Sequence, residues 1–501
     1  MSKRKLFTAL AIVLLVAAFG FTLISMDRSE DAGNIAKKIM KTCPRYKIDV
    51  DFDPDSKRIV AHQELTIVNN KQNAFEELYF HLYPNAFKAP DEVPFTGEYM
   101  SLAYPEGFAP GYINIKKVTV GASEAKYRVD GTILEVKLAK ALKPDAKLTL
   151  TIEFEVQIPP SRGNFGYGDV TFNMGNWYPV LAVYDENGWH KDPYYNIGDP
   201  FYSEVGLYEV NIRAPKDYTV AASGSLIENR EEIGRATWSF STGLVRDFAW
   251  VASKEFESKE ANVGKTKVTS YYIKGAEEYG QKALEYGKDA IAFFNQSFGE
   301  YPYEDYRIVA SNFIFAGMEH PNIVMISDEF YGPGMYLEYL EYTVVHETAH
   351  QWWYGLVGNN QIEEAWLDEA LTEYSTLLYF EHYYGKKVGQ EVYEKFALTP
   401  YKYFEKTISL GPIGRHLSEF SGWDDYSATV YNRGAIMLKD LEARMGKVKL
   451  LEALKLYFRQ HVYENASGED FIRALNQVTG TDWSDYVYRW LKTTEILENA
   501  A

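Results

Sequence analysis

Between residues 46 and 253, apolar and polar positions alternate with a period of two. Tyr46, Ile48, Val50 and Phe52 alternate with Lys47, Asp49 and Asp51, and an Asp53-Pro54-Asp55-Ser56 turn follows. Leu148, Leu150, Ile152, Phe154, Val156 and Ile158 alternate without a break and stop at Pro159-Pro160. Shorter runs lie at 207–212, 236–241 and 248–252. Many short strands with turn residues between them predict an antiparallel β-sandwich or saddle with one wet face. Near residue 276 the period lengthens. Tyr279, Ala283, Tyr286, Ala290 and Phe293 recur every three or four positions with Glu and Lys between them, and helical patterning continues at 338–357, 365–384, 447–461 and 483–492. The pattern predicts an α+β multidomain chain: a β-sandwich/saddle domain over 46–255, then a mainly helical domain over 256–501, with a linker at 29–45.

The amino terminus follows neither period. Lys3, Arg4 and Lys5 precede an uncharged run over residues 6–26, long enough at 1.5 Å per residue to cross a bilayer core of about 30 Å. The run exceeds a signal-peptide core of roughly 7–15 residues, and no clear small-residue cleavage site follows it. An uncleaved signal anchor over residues 1–28 is therefore expected. The basic triplet would stay in the cytoplasm and the rest of the chain would be extracytoplasmic, giving a single-pass cell-membrane protein. Secretion after signal cleavage is the alternative.

Composition narrows the function classes. The 501 residues carry 52 Lys+Arg against 70 Asp+Glu, a net charge of −18, which is the wrong sign for a nucleic-acid partner. The same charge is repelled by anionic headgroups, so lipid contact is expected through the N-terminal helix only. The single Cys43 excludes an intramolecular disulfide framework and an all-thiolate metal site. Nothing in the sequence sets the oligomeric state.

The chemistry is concentrated in His346-Glu347-Thr348-Ala349-His350. Residues four apart share one helix face, so both imidazoles can reach one ion, and neutral imidazole suits Zn²⁺. A surface helix with two histidines is the competing reading, and the next motif decides against it. Catalytic zinc takes three protein ligands and keeps one position open. Glu369, in Trp366-Leu367-Asp368-Glu369-Ala370, can return on a second, antiparallel helix to supply the third. Glu373, one turn further on, is either a partner of a ligand histidine or an exposed helix residue.

With these motifs the chain resembles the zinc aminopeptidases typified by aminopeptidase N and leukotriene-A hydrolase, which are gluzincin metallopeptidases. Phe298-Gly299-Glu300-Tyr301-Pro302-Tyr303, Ala316-Gly317-Met318-Glu319-His320 and Val430-Tyr431-Asn432-Arg433-Gly434-Ala435 are similar to further family segments, in the right order. The resemblance implies a thermolysin-like zinc catalytic domain holding one Zn²⁺ on His346, His350 and Glu369. It implies Glu347 as general base, Tyr431 as donor to the oxyanion, Glu319 as the carboxylate for the substrate's free amine, and Gly317 as a close backbone approach to a peptide substrate. The expected activity is a zinc metallopeptidase of aminopeptidase type. A zinc endopeptidase or other zinc hydrolase on the same scaffold is the first alternative, and a non-enzymatic binding or scaffold protein the second. Three departures accompany the resemblance. His320 stands where the family has Asn, the family's β-domain Gln is unmatched with Asn176 its nearest candidate, and a large C-terminal helical domain is not expected.

Overall fold

The computed structural model describes residues 32–95, 97–334 and 336–494. The N-terminal half is built from antiparallel sheets, as the period of two predicts. Its main sheet has eight strands, in the order Ser225–Glu232, Arg235–Ser241, Leu207–Pro215, Arg45–Asp53, Arg58–Val68, Lys147–Gln157, Tyr112–Val120 and Ser123–Glu124. All neighbours run antiparallel except Arg45–Asp53 beside Leu207–Pro215. Ile48, Val50 and Phe52 point inward while Lys47, Asp49 and Asp51 face out, so one face is dry and the other wet. Two four-stranded sheets close over the dry face and share one apolar core with it. Within the span read as a linker, Ala32–Ile39 forms a short helix and Arg45 opens the first strand.

The second half begins with strands rather than helices. Phe256–Val263, Thr266–Ile273, Asp305–Ser311, Ile323–Ser327 and Gly317–Met318 form a five-stranded mixed sheet. Asp305–Ser311 and Ile323–Ser327 are parallel to each other and buried along their whole length. A strand covered on both faces shows no alternation, which is why the helical reading passed over them. Helices then carry the chain, chiefly Glu277–Ser297, Tyr336–Ala349, Trp366–Tyr393, Gly434–Met445 and Lys447–His461. The helix expected at 338–357 ends at Ala349, where the chain enters turns and Tyr354 adopts φ 108°. The one expected at 365–384 runs on to Tyr393 across a kink at Gly385.

The single-pass membrane assignment, with its cell-membrane localisation and bilayer partner, is corrected. No helix among the described residues is long and apolar enough to cross a membrane. The two longest, Glu277–Ser297 and Trp366–Tyr393, carry acidic and basic side chains along their length, which a hydrocarbon core would not accept. The run at 6–26, on which the assignment rests, lies outside the described residues.

A buried arginine ties the two halves together. Arg246 follows Val245 of the first half and is 2% exposed. Its guanidinium donates to the carbonyls of Ser203, Tyr354 and Glu464 and to the Asn465 side chain. Gly358 leaves room for it, since a Cβ there would fall 2.1 Å from the guanidinium carbon. An Arg246→Met variant keeps roughly the length of the side chain but leaves the Tyr354 carbonyl without a donor and the Ser203 and Glu464 carbonyls with only Asn465 Nδ2 and the Gly358 N–H, respectively. It should lose about 3 kcal/mol or more in denaturant unfolding, whereas a loss under about 0.5 kcal/mol would show that the contact is idle.

Candidate metal centre and active site

Aromatic and amide contacts set the two site helices and the loop beside them. Trp352 and Trp353, just past the end of Tyr336–Ala349, are fully buried against Phe294 and Phe298. Trp352 Nε1 donates to the Gly299 carbonyl and Trp353 Nε1 to Ser375 Oγ on the second helix. Gln351 reaches the neighbouring loop: its Oε1 accepts the Asn322 backbone N–H and its Nε2 donates to the His320 carbonyl. Segments recognised separately in the sequence are thus one packed unit.

Within it the three expected ligand atoms converge. His346 Nε2 and His350 Nε2 are 3.2 Å apart and lie 3.4 and 3.3 Å from Glu369 Oε2. A tetrahedral zinc with bonds of about 2.0–2.1 Å sets its ligand atoms about 3.3–3.4 Å apart, so the spacing fits. Glu369 Oε2 is buried and in no hydrogen bond, and His346, His350 and Glu369 form a group able to hold a metal ion. The tautomer also fits. His350 Nδ1 lies 3.0 Å from the Trp353 carbonyl, to which it donates, leaving the Nε2 lone pair toward Glu369. Glu373 is buried, not exposed. One oxygen stands 3.4 Å from His346 Nδ1 and the other accepts the Tyr342 phenol. Burial alone would raise the Glu369 carboxyl, yet the two imidazoles hold it down to about 2. The cluster favours positive charge at its centre.

The remaining expected residues line the same cavity, of about 360 Å³. Burial pushes the Glu347 carboxyl up to about 7, against the opposing pull of the two histidines. Gly317 packs directly on Glu347, since a Cβ there would lie 2.4 Å from Oε1. Glu319 is 4% exposed and its Oε1 has no hydrogen-bond partner. Burial and then the Asp199 carboxylate raise its carboxyl well above the ordinary range. Tyr431 sits in the π-helical turn Ser427–Arg433, a local irregularity common at functional sites. Its phenol donates to Glu369 Oε1 at 2.5 Å and its ring stacks near His346.

Two departures from the family pattern acquire partners. His320 is completely buried behind the cavity wall, with Nδ1 3.1 Å from Asp247 Oδ2 and Nε2 2.7 Å from Asn164 Oδ1. The cavity is lined by Asn164 instead, whose Nδ2 donates to Asn176 Oδ1. Asn176 therefore stands one residue back from the cavity. Asp199, in the loop before Leu207–Pro215, also lines the cavity. It belongs to no recognised motif, and only its Gly198-Asp199-Pro200 setting marks it in the sequence.

Comparison with known proteins agrees with this geometry. The peptidase family M1 domain matches residues 282–490. Among curated relatives, probable aminopeptidase 2 of Sulfurisphaera tokodaii is 23% identical over 57% of this chain and 38% of its own length. Aminopeptidase N of Lactobacillus helveticus is 26% identical over 42% of this chain and 26% of its own. The chain spans less than half the length of these relatives. The crystal structure of the M1 zinc metallopeptidase from Deinococcus radiodurans superposes with a TM-score of 0.64 at 15% identity, covering 92% of this chain and 96% of that one. The two-part fold is that of this metallopeptidase, and the ligand triangle fits the zinc such a family implies. Residues 282–490 thus match the peptidase family M1 domain, in a chain whose two-part fold is shared with the D. radiodurans M1 zinc metallopeptidase.

Proposed function

We propose that this protein is a zinc-dependent aminopeptidase that hydrolyses the N-terminal peptide bond of peptides, with residues 46–255 and 256–501 as its two domains. The observation that carries the reading is the buried, unpartnered Glu319 carboxylate in the cavity that also holds Glu347 and the His346–His350–Glu369 triangle. A carboxylate held there without a donor favours a cationic group on the ligand, and a free α-ammonium supplies one. The D. radiodurans protein of the same fold has been crystallised with a Tyr-Ser-Ala substrate, which supports a peptide ligand for such a cavity.

Zinc held by His346, His350 and Glu369 supplies Lewis acidity to a scissile carbonyl and to a water molecule. Glu347 takes the water's proton and passes it to the leaving amine; its raised carboxyl suits transfer in both directions near neutral pH. Tyr431 leaves Glu369 Oε1 and donates its O–H where negative charge develops on the carbonyl oxygen. Gly317 keeps Glu347 in place and presents edge-strand backbone to the substrate.

The deciding experiment is hydrolysis of aminoacyl-anilides and of amino-blocked peptides, with and without a chelator. Chelator-sensitive cleavage of the free-amine substrates alone is expected. Cleavage of blocked peptides would make the protein an endopeptidase, and no cleavage of either would leave a scaffold. Glu347→Gln should keep its zinc, measured by metal analysis, and lose kcat by at least about 100-fold. Gly317→Ala drives a methyl into the Glu347 carboxylate and should lower kcat with little change in zinc content; full activity would show that the contact yields freely. Tyr431→Phe should lower kcat more than it raises KM, by about 100-fold, because its hydrogen bond is used in the transition state. An equal or larger rise in KM would assign it to ground-state binding instead.

A further inference from the structure

The strand that carries Gly317 and Glu319 gives the cavity a direction. Gly317 pairs with Ile326 and Met318 with Met325. The ladder extends from the Ile323 N–H on the His320 carbonyl to the Ser327 N–H on the Ala316 carbonyl. Gly317 packs on Glu347 and so marks the level of the reacting bond. Glu319, two residues on, marks the amine end, which is shut: Glu319 and His320 behind it are both buried. Phe315 precedes Gly317 by two residues and lies just past the other end of the ladder. At about 3.3 Å per extended residue it stands roughly 7 Å from the level of the reacting bond, on the leaving-group side.

That side of the cavity is aromatic. Between ring centroids, Phe315 is 4.9 Å from Trp423, 5.8 Å from Tyr99 and 6.2 Å from Phe95, and Tyr99 is 6.5 Å from Trp423. The rings come from three separate stretches of chain. Phe95 and Tyr99 belong to the sheet half, Tyr99 in the short helix Glu98–Ala103, while Trp423 opens the helical turn Trp423–Tyr426. All four line the cavity. Phe95 is buried, but Tyr99, Phe315 and Trp423 are only half-buried, so ring surface is left uncovered inside the site. Rings at these separations offer faces and edges to a further ring or to a branched aliphatic group. Tyr99 and Trp423 also border a second groove, of about 680 Å³, which continues outward past Gly97, Leu410 and Gly422. A peptide chain therefore has a way out beyond the aromatic cluster and none beyond Glu319.

We propose that Phe95, Tyr99, Phe315 and Trp423 form the pocket for the side chain that follows the cleaved bond, and that the protein selects peptides whose second residue is aromatic or a large aliphatic. The inference rests on the aminopeptidase reading and gives it a substrate class. The cluster acts on the leaving part of the substrate and stands apart from the proton transfer at Glu347. Burying a benzyl group there in place of a methyl is worth about 10–100-fold in kcat/KM. The rest of a longer peptide lies in the outer groove.

The test is steady-state kinetics of the zinc-loaded full chain on tripeptides that differ at one position. Leu-Phe-Ala and Leu-Ala-Ala differ in the second residue, Phe-Ala-Ala and Leu-Ala-Ala in the first. The parent should prefer Leu-Phe-Ala over Leu-Ala-Ala by about 10–100-fold in kcat/KM. Tyr99→Ala should cut that ratio at least about fivefold without moving the ratio for the first residue, and Tyr99→Phe, which keeps the ring, should preserve it. Calorimetry on Glu347→Gln protein, which should bind Leu-Phe-Ala more tightly than Leu-Ala-Ala, gives a readout independent of turnover. A parent ratio near one would overturn the proposal, as would a ratio that survives Tyr99→Ala in a protein of parental melting temperature. A change that follows the first residue instead would also overturn it, by assigning the cluster to the first side chain. Cleavage of amino-blocked Leu-Phe-Ala as fast as the free peptide would defeat the aminopeptidase reading itself, and this inference with it. That outcome is seen in the parent alone, whatever the second-residue ratio.

Discussion

The cavity is organised by a surplus of buried acidic groups, whose charge is relieved by proton uptake or by a cation. Two carboxylates 4 Å apart repel by about 4 kcal/mol at the effective dielectric of a protein site, and five acidic side chains, Asp199, Glu319, Glu347, Glu369 and Glu373, line this one cavity. Glu369 approaches the two imidazoles within 3.4 Å, and Glu373 stands the same distance from the far nitrogen of His346. Without positive charge at the centre the arrangement is costly; with a divalent ion the same carboxylates become ligand and ligand support. Glu319 extends the argument to a second position in the cavity, where the proposed α-ammonium of the substrate would do for it what the metal would do for Glu369.

Such charge is tolerated only where the surroundings cannot relax, and the fold supplies that rigidity from both halves. The triangle depends on two helices held by Trp353–Ser375 and by the aromatic bed under Trp352 and Trp353. The Glu319 loop is fixed to the end of the first helix by Gln351 on one side and by the Asp247–His320–Asn164 chain on the other. Asp247 lies next to Arg246, whose guanidinium binds carbonyls at Tyr354 and Glu464. The contact between halves and the wall of the cavity are thus neighbouring residues of one segment.

How far the sequence reveals this follows from what each feature leaves in the order of residues. The half-exposed strands around Ile48 and Ile152 announce themselves by alternation. The ligands His346, His350 and Glu369 do so because a helix turns an interval of four into a shared face. Asp305–Ser311 and Ile323–Ser327 carry no period, since both their faces are covered. Glu373 looks the same in sequence whether it faces solvent or His346, because one helical turn allows either. His320 reads as a substitution in a loop, and its partners Asp247 and Asn164 lie 73 and 156 positions away. Asp199 is the extreme case: a lone acid between Gly and Pro, meaningful only once the sheet half folds back on the helices.

Tyr431 links the metal ligands to the oxygen on which charge is proposed to grow. Its phenol is bonded to Glu369 Oε1, the oxygen that does not face the histidines. In that position it withdraws charge from the carboxylate and steadies its orientation. If the phenol moves to a developing oxyanion, Glu369 loses that donor and its charge is drawn more fully toward the metal side. Glu369, with His346 and His350, would then hold a zinc ion more firmly, so one proton donor would serve two acceptors in turn.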